Sequence, residues 1–307
     1  MEDKPLVSYC LFTYNQEAYV RESLEAALAQ SYSPLEVVIS DDCSTDGTAA
    51  VIREVLAAYS GEHRIILNVN QQNMGIGGHI SKVLMELTSG EYYVLVGGDD
   101  ISGPDHVKLA IAAIQAHSNI YAVDFAASII DEKGGIIQAN NSPEQVLSYC
   151  LEDFTGIKKN LSTFAPGRII HSDVVRKFPR IAGSCPTEDS VFVLRSLMLG
   201  GLRREPINLI QYRRAEYSVS SASNIKKLSL EGIINQYNTD IDSAADSGLI
   251  DELETQKMKR RIVFEHFKRK TLTQHDGGRF MYTLVRVKVR VFKWLYQLGL
   301  FIGPLRG

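Results

Sequence analysis

Cysteine is scarce in this 307-residue sequence, and its four cysteines lie far apart without forming a C-x-x-C pair. This pattern excludes a disulfide framework and a cysteine-based zinc site, and it is typical of a protein that works in a reducing cytoplasm. Glycine and proline together make up about a tenth of the chain, which excludes collagen-like and low-complexity proteins. The N-terminus, MEDKPLVSYC, opens with acidic residues and has no long apolar run. We therefore expect no signal peptide there.

Charge is distributed unevenly, although the net charge is only −3. From Lys257 onward the sequence carries 13 lysines and arginines against two acids, whereas the first 256 residues carry 34 acids against 20 bases. A basic tail on an acidic body indicates a polyanionic partner or a membrane surface for the tail. The acidic body argues against nucleic acid as a substrate or partner, because binding a phosphate backbone requires positive charge.

Strand-like and helix-like segments alternate along the first half of the sequence. The predicted strands are Leu6–Phe12, Glu36–Ser40, Arg64–Val69 and Glu91–Val96. This alternation predicts an α/β fold with a Rossmann-like, mostly parallel sheet and helices on both faces. Polar residues follow three of these strands: Thr13, Tyr14 and Asn15, then Asp41 and Asp42, then Asp99 and Asp100. Ligands of such sheets bind at the carboxyl ends of the strands, so we expect the site there.

The pattern changes after Tyr121. Residues Ser128–Ala139 predict a hairpin around Lys133-Gly134-Gly135, a mixed region follows to about Ser223, and the remaining sequence is mainly helical in pattern. We see no internal repeat and no flexible linker. The sequence therefore predicts one domain over residues 1–223 and a helical, basic C-terminal extension over residues 224–307.

Five sequence motifs occur in a specific order and spacing along the chain. They are TYNQEAYVRESLEAALAQSY, VVISDDCSTDGT, NMGIGG, GEYYVLVGGDDIS and TEDSVFVLR. Together they resemble the inverting family 2 glycosyltransferases of the GT-A fold, over roughly Pro5 to Ser221. The resemblance implies a nucleotide-sugar binding half over residues 1–120 and a half that binds the acceptor and carries the catalytic base over residues 121–223.

The resemblance implies donor-binding roles for the residues that follow the first two strands. Tyr14 would lie against the planar base, with Thr13 and Asn15 lining the pocket. Asp42 matches the family aspartate that accepts a hydrogen bond from the imide N–H of the base. Asp41 would contact the ribose or only cap its turn. The structural alternative is that these are ordinary polar residues of strand-to-helix loops.

Asp99 and Asp100 match the D-x-D position of the family, although Gly97 replaces its first aspartate. Carboxylate oxygens suit Mg²⁺ or Mn²⁺, so Asp99, Asp100 and phosphate oxygens would bind the metal. Asp99 would also belong to the binding site of the nucleotide-sugar donor. The cation would act as a Lewis acid on the departing nucleoside diphosphate. The alternative is a turn that caps the helix near Pro104.

Inversion at the anomeric carbon requires a general base on the acceptor side. The E-D motif of the family matches Glu188 and Asp189, which implies that Asp189 is the base and that Glu188 orients it or touches the acceptor. Without the resemblance, both residues would be first-turn charges that stabilise the helix dipole.

Two departures from the family affect the phosphate contacts. Residues Tyr212–Ser220 resemble its Y-R-x-H-x-x-S-x-S stretch, but Ala215 stands in place of the histidine. Arg213 or Arg214 could substitute, because a guanidinium clamps phosphate well. Where the family often has an arginine after N-M-G, the nearest cation here is Lys82.

The tail contains a broad apolar stretch with a basic edge between Leu284 and Ile302. Its interior charges make it a poor membrane span. We expect an in-plane interfacial helix that attaches the protein to anionic lipid, with about 1 kcal/mol for each lysine or arginine near the surface. The alternative is a helix that packs on the catalytic domain or in a homodimer.

The sequence thus predicts a cytoplasmic glycosyltransferase, peripheral at the inner face of the cell membrane. It would transfer a sugar from a nucleotide-sugar donor, with a UDP-sugar favoured, to a hydroxyl of a glycan or lipid-linked glycan. Two alternatives remain at this point: a nucleotidyltransferase on a similar sheet, and a non-catalytic protein that binds a glycan or a partner.

Overall fold

A ten-stranded sheet organises the chain in a computed structural model that describes residues 4–156, 161–214 and 229–273, together with Lys293. The strands are β1 Val7–Thr13, β2 Leu35–Asp41, β3 Arg64–Val69, β4 Tyr92–Gly97, β5 Ile101–Ser102, β6 Ala122–Ile130, β7 Ile136–Gln138, β8 Leu147–Tyr149, β9 Ile169–His171 and β10 Leu202–Arg213. The helices are α1 Val20–Leu28, α2 Thr48–Ala58, α3 Gly75–Lys82, α4 His106–Gln115, α5 Leu151–Thr155, α6 Asp173–Arg176, α7 Asp189–Leu199, α8 Leu230–Asp246 and α9 Glu252–Thr273. A π-helical turn, Val83–Leu87, continues α3.

The strands follow the order β3-β2-β1-β4-β9-β6-β10-β5, with β7 paired to β6 and β8 paired to β10. The four long pairings, β1 with β2, β1 with β4, β2 with β3 and β6 with β10, are parallel. Strand β9 is antiparallel to both of its neighbours, β4 and β6. The sheet is therefore mostly parallel and surrounded by helices, which confirms the expected α/β class.

Both faces of strands β1, β2 and β6 are buried, which explains the continuous apolar runs of these strands. In β1, Tyr9 and Leu11 belong to one apolar cluster, whereas Cys10 belongs to the other. This division follows from the strand itself, because successive side chains point to opposite faces. Val20 of α1 and Val107 of α4 cover the first face, and helices α3, α6, α7 and α8 contribute to the second.

The C-terminal helices share the second of these clusters. Ile233 and Ile241 of α8 and Met258 of α9 are buried together with Phe192 of α7. The described part of the extension therefore packs against the sheet domain, while a domain boundary at residue 223 stays a prediction. The apolar stretch Leu284–Ile302 lies outside the described residues, apart from Lys293. No helix in the described part of the chain is long and apolar enough to cross a membrane.

The hairpin expected around residue 134 is present as β6 and β7. Other elements differ from the predicted limits by a few residues. Helix α4, for example, begins at His106, two residues after the Pro104 near which the sequence predicts a helix. Propensity patterns do not resolve such ends, since helix termini depend on local turn geometry.

Candidate active site

The polar residues that follow β1, β2 and β4 meet at one edge of the sheet. Thr13 at the end of β1 is paired with Asp41 of β2, and the preceding residue, Phe12, is paired with Gly97 of β4. The backbone N–H of Asp42 donates to the carbonyl oxygen of Thr13 at 2.9 Å. The parallel register thus brings the three predicted clusters together, as expected for the ligand-binding edge of such a sheet.

The loops after β1 and β2 are joined through Asn15. Its backbone lies in the left-handed region (φ 51°), which asparagine tolerates better than most residues. Its Oδ1 accepts a hydrogen bond from the N–H of Thr45 at 2.8 Å, and its own N–H donates to Oγ of Ser44 at 2.8 Å. Asn15 therefore fixes the loop, and Tyr14 beside it presents a side chain that is 47% exposed.

Asp41 is completely buried, and its carboxylate is engaged within its own turn. It accepts hydrogen bonds from the N–H and the hydroxyl of Ser44 and from the hydroxyl of Thr13 at 3.1 Å. These bonds hold the turn after β2 in place beneath the site. A contact between Asp41 and a ribose stays a prediction.

Asp42 is buried at the centre of a second network. Its Oδ1 accepts a hydrogen bond from Nδ2 of Asn70 at 2.8 Å, and both of its carboxylate oxygens accept from the N–H of Met74. The Oδ1 of Asn70 in turn accepts from Nζ of Lys82 at 2.7 Å. Lys82, the cation expected nearest this loop, thus reaches Asp42 through one amide group.

His79 also joins this network, through Ser40 and Asn68. Its Nε2 lies 2.7 Å from Oγ of Ser40 at the end of β2. Burial lowers the pKa of His79 and outweighs the opposite influence of Asp42 and Asp41, so the ring is neutral at pH 7. The position of Asn70 directly after β3 is the signal by which the sequence could have identified this network.

Asp99, which is half-buried, and Asp100, which is buried, form an acidic pair after β4. Burial raises the pKa of Asp99, and burial together with the charge of Asp99 raises the pKa of Asp100 well above its ordinary value. Oδ1 of Asp100 accepts a hydrogen bond from the N–H of Arg213 at 3.0 Å. A Cβ atom on Gly97 would lie 2.8 Å from Oδ1 of Asp99, so the carboxylate of Asp99 occupies space that a side chain at position 97 would need.

The chemistry of this acidic pair fits a hard divalent cation. Two neighbouring carboxylates with little solvent repel each other, and a cation that binds oxygen relieves this repulsion. Within residues 4–156, 161–214 and 229–273, no cluster of three or more His, Cys, Asp or Glu side chains is placed to hold a metal. Asp99 and Asp100 are thus the residues that could hold such an ion, with oxygen atoms of a bound ligand as further partners.

Arg213 lies beneath this turn with a side chain that is 2% exposed. Its guanidinium donates to the carbonyl oxygens of Asp99 and Asp131 at 3.0 and 3.1 Å, and it forms an ion pair with Glu22 at 2.8 Å. These contacts tie β10 to the acidic turn and to α1. A contact between Arg213 and a phosphate stays a prediction, and Ala215–Ser220 lie outside the described residues.

Glu188 and Asp189 stand at the N-terminus of α7. Asp189 is solvent-exposed, although protein surrounds its carboxyl group on most sides. Burial and the charge of Asp189 raise the pKa of Glu188 well above its ordinary value, and burial raises the pKa of Asp189. The hydrogen bond between the two side chains raises the pKa of Glu188 and lowers that of Asp189. Of the two carboxyl groups, that of Glu188 is therefore the harder to ionise.

A buried ion pair under Asp189 was missed by the sequence reasoning. Arg168, which directly precedes β9, forms two hydrogen bonds to Asp124 of β6, and its Nη1 donates to the carbonyl oxygen of Asp189 at 2.8 Å. The signal was available, because Asp124 interrupts an apolar strand and a buried carboxylate requires a partner. The identity of that partner depends on the tertiary fold.

Comparison with known proteins identifies the family. The profile described as "Glycosyl transferase family 2" matches residues 8–177. The chain belongs to glycosyl transferase family 2. The matched part includes the loops after β1, β2 and β4, whereas Glu188 and Asp189 follow it.

Curated relatives match somewhat less than half of the chain. EpsE of Bacillus subtilis is 34% identical over 134 residues, which is 44% of this chain and 47% of EpsE. Chondroitin synthase of Escherichia coli is 33% identical over 133 residues, which is 43% of this chain and 19% of the synthase. The chain thus spans less than half the length of these relatives.

Solved structures match over almost the whole chain. TarS 1-349 of S. aureus in complex with UDP-GlcNAc has a TM-score of 0.64 at 17% identity and covers 96% of this chain and 88% of that one. The mannosyltransferase PcManGT of Pyrobaculum calidifontis, in complex with GDP-Man and Mn²⁺, has a TM-score of 0.55 at 13% identity and covers 97% and 84%. At these identities the likeness shows the fold, and the expected GT-A glycosyltransferase fold is confirmed.

Proposed function

We propose that this family 2 glycosyltransferase is an inverting, metal-assisted enzyme. It transfers a sugar from a nucleotide-sugar donor to a hydroxyl of a glycan or lipid-linked glycan. The observation that carries the proposal is the presence of two acidic pairs with different electrostatic settings, Asp99 with Asp100 after β4 and Glu188 with Asp189 at the start of α7. The first pair suits a cation and a diphosphate, and the second suits a proton transfer.

The donor base binds between the loops after β1 and β2. The exposed ring of Tyr14 offers a stacking surface, and Thr13 and Asn15 line the pocket beside it. Asp42, which is held by Asn70, accepts a hydrogen bond from the imide N–H of a uracil-type base. A UDP-sugar is the favoured donor, and the UDP-GlcNAc complex of the structural neighbour TarS supports this choice.

Asp99 and Asp100 would hold Mn²⁺ or Mg²⁺ together with the diphosphate of the donor. The ion supplies Lewis-acid stabilisation of the negative charge on the leaving nucleoside diphosphate. The Mn²⁺ complex of the structural neighbour PcManGT supports a divalent cation. The backbone N–H of Arg213 and the turn at Gly97 keep the two carboxylates in place.

Asp189 acts as the general base. It accepts the proton of the acceptor hydroxyl while that oxygen attacks the anomeric carbon from the side opposite the leaving diphosphate. Burial and the charge of Asp189 raise the pKa of Glu188 well above its ordinary value, which suits Glu188 to stay protonated beside an ionised Asp189. Because the attack comes from the side opposite the diphosphate, the configuration at the anomeric carbon is inverted.

The wider setting is proposed from charge and from relatives. The basic segment from Lys257 onward suits the anionic inner face of a cell membrane, with a homodimer as the other use of the tail. The name of the relative chondroitin synthase refers to a polysaccharide, which supports a role in cell-surface polysaccharide biosynthesis.

The donor site is tested by calorimetric titration of the full chain with UDP, GDP and dTDP, each with and without Mn²⁺. We expect selective binding of one nucleotide that Mn²⁺ strengthens. The absence of binding to all three by folded protein would refute the donor site.

The base is tested by Asp189→Asn. We expect loss of transfer from the corresponding nucleotide sugar, with nucleotide binding within about twofold of the unchanged protein, since a general base contributes about 10²–10⁴-fold in rate. Near-full transfer by this variant would refute the role of Asp189.

A further inference from the structure

Two buried arginine–aspartate pairs lie beside α7. Arg168 pairs with Asp124, and Arg195 on α7 itself pairs with Asp240 of α8. In each pair the arginine side chain is 1% exposed and the aspartate is fully buried. Breaking such a pair is strongly destabilising, because it leaves an uncompensated buried charge. The two pairs are alike in chemistry and burial, but they differ in what else their guanidinium groups contact.

Arg168 joins three elements around the site. Its guanidinium is held by Asp124 of β6 and donates from Nη1 to the carbonyl oxygen of Asp189. Its own carbonyl oxygen accepts from the N–H of Leu95 on β4 at 3.0 Å, and the N–H of Gly167 donates to the carbonyl oxygen of Leu95 at 3.1 Å. Strand β4, which leads to the acidic turn of the donor site, is therefore connected through a single residue to the first residue of α7.

The electrostatic surroundings of Asp189 come from three elements. Burial raises its pKa, Arg168 lowers it, the hydrogen bond from Glu188 also lowers it, and Asp124 on β6 raises it. The thiol of Cys185, whose own pKa is raised by burial, faces Glu188 as a neutral group. Arg168 and Asp124 thus act on the Asp189 carboxylate in opposite directions, although they form one ion pair.

We propose that Arg168 is a positioning residue for the general base. Clamped by Asp124, its guanidinium holds the main chain of Asp189 at a fixed place relative to β4 and supplies the positive charge that keeps the Asp189 carboxylate ready to accept a proton. The inference rests on the proposed function, in which Asp189 is the base. It adds that the spacing between this base and the diphosphate site at the end of β4 is set through Arg168.

The test uses the opposite electrostatic effects of the two partners. The titration of the Asp189 carboxyl is followed by ¹³C NMR of aspartate-labelled full-length protein, with its signal assigned by Asp189→Asn. In Arg168→Gln we expect the apparent pKa of Asp189 to rise by about 1 unit or more, because a positive charge near it is lost. In Asp124→Asn we expect the pKa to fall, because a negative charge is lost while Arg168 remains.

Arg195→Gln is the matched control. It perturbs the other buried pair on the same helix, and we expect a loss of stability with an unchanged pKa of Asp189. A purely structural role for Arg168 predicts that all these variants lose stability without opposite shifts, so shifts in one direction, or shifts no larger than in the control, would overturn the proposal. If Arg168→Gln does not fold, two other variants test the proposal. It is supported if the pKa of Asp189 falls in Asp124→Asn and is unshifted in Arg168→Lys, which keeps the charge, and it is overturned otherwise.

The activity of Asp189→Asn separates this proposal from the one on which it rests. Opposite pKa shifts together with near-full transfer by Asp189→Asn would overturn Asp189 as the base and, with it, the role of Arg168 as its positioning residue. Absent shifts together with complete loss of transfer would overturn the role of Arg168 alone.

Discussion

Replacing Gly97 by alanine tests how the acidic turn works without the first aspartate of the family motif. The added Cβ would lie 2.8 Å from Oδ1 of Asp99. An ordinary contact of this kind is about 3.4 Å or more, so the carboxylate must move by roughly 0.6 Å. Metal–ligand distances tolerate only about 0.2 Å. The end of an aspartate side chain moves easily, so we expect the fold to be retained and the metal site to be impaired.

The expected result of Gly97→Ala is a loss of about tenfold or more in Mn²⁺-dependent nucleotide affinity, as found when groups that orient metal ligands are disturbed. Tenfold corresponds to about 1.4 kcal/mol. The assay is calorimetric titration with the nucleotide that binds the unchanged protein, with and without Mn²⁺. Gly103→Ala is the control, because its Cβ would meet the carbonyl oxygen of Leu209 at an ordinary 3.5 Å. Unchanged Mn²⁺-dependent affinity in Gly97→Ala would refute the reasoning.

Two further predictions concern buried charges near α7. Burial raises the pKa of Asp240 even though Arg195 lowers it, so desolvation outweighs attraction in this pair. Asp240→Leu should lower the free energy of unfolding, measured with urea, by about 3–5 kcal/mol. The double variant Arg195→Met with Asp240→Leu should recover most of this loss. A double variant as unstable as the single one would contradict this. The pKa of Glu188 is raised in the folded protein, which therefore keeps a proton that the unfolded chain loses above a pH of about 4.3. Its contribution to stability is full below that pH and is lost as the pH rises through the raised value. Glu188→Gln should flatten this part of the curve of unfolding free energy against pH, and an unchanged slope would count against the assignment.

The local pattern of the sequence is sufficient to predict the sheet and the edge at which the site lies. Strands with apolar residues on both faces and helices with 3.6-residue periodicity are encoded within short segments. Asp42 could be located because it follows directly on such a strand, and Asp99 because it lies two residues after another. Asn70 follows β3 in the same way, and its link between Asp42 and Lys82 became visible only when both side chains were placed.

The roles of the buried charges could not be read in this way. In the structure the guanidinium of Arg213 binds main-chain oxygens and Glu22, which is 191 residues away in the chain, and its contact with a phosphate stays a prediction. Its partners are brought to it by the pairing of β10 with β6 and β5, and no local pattern encodes strand order. For the same reason the sequence alone could not show that Arg213 supports the acidic turn.

By itself, the sequence determined the α/β class, the family resemblance and the positions of the two acidic pairs, because these depend on residues close together in the chain. Only the tertiary structure decided which charges lie beside them. Arg168 and Asp124 are 44 residues apart, and Arg168 lies 21 residues from Asp189. Their contact requires β9 to be inserted between β4 and β6. A buried charge must find its partner wherever the sheet places it, and that place is a property of the whole fold.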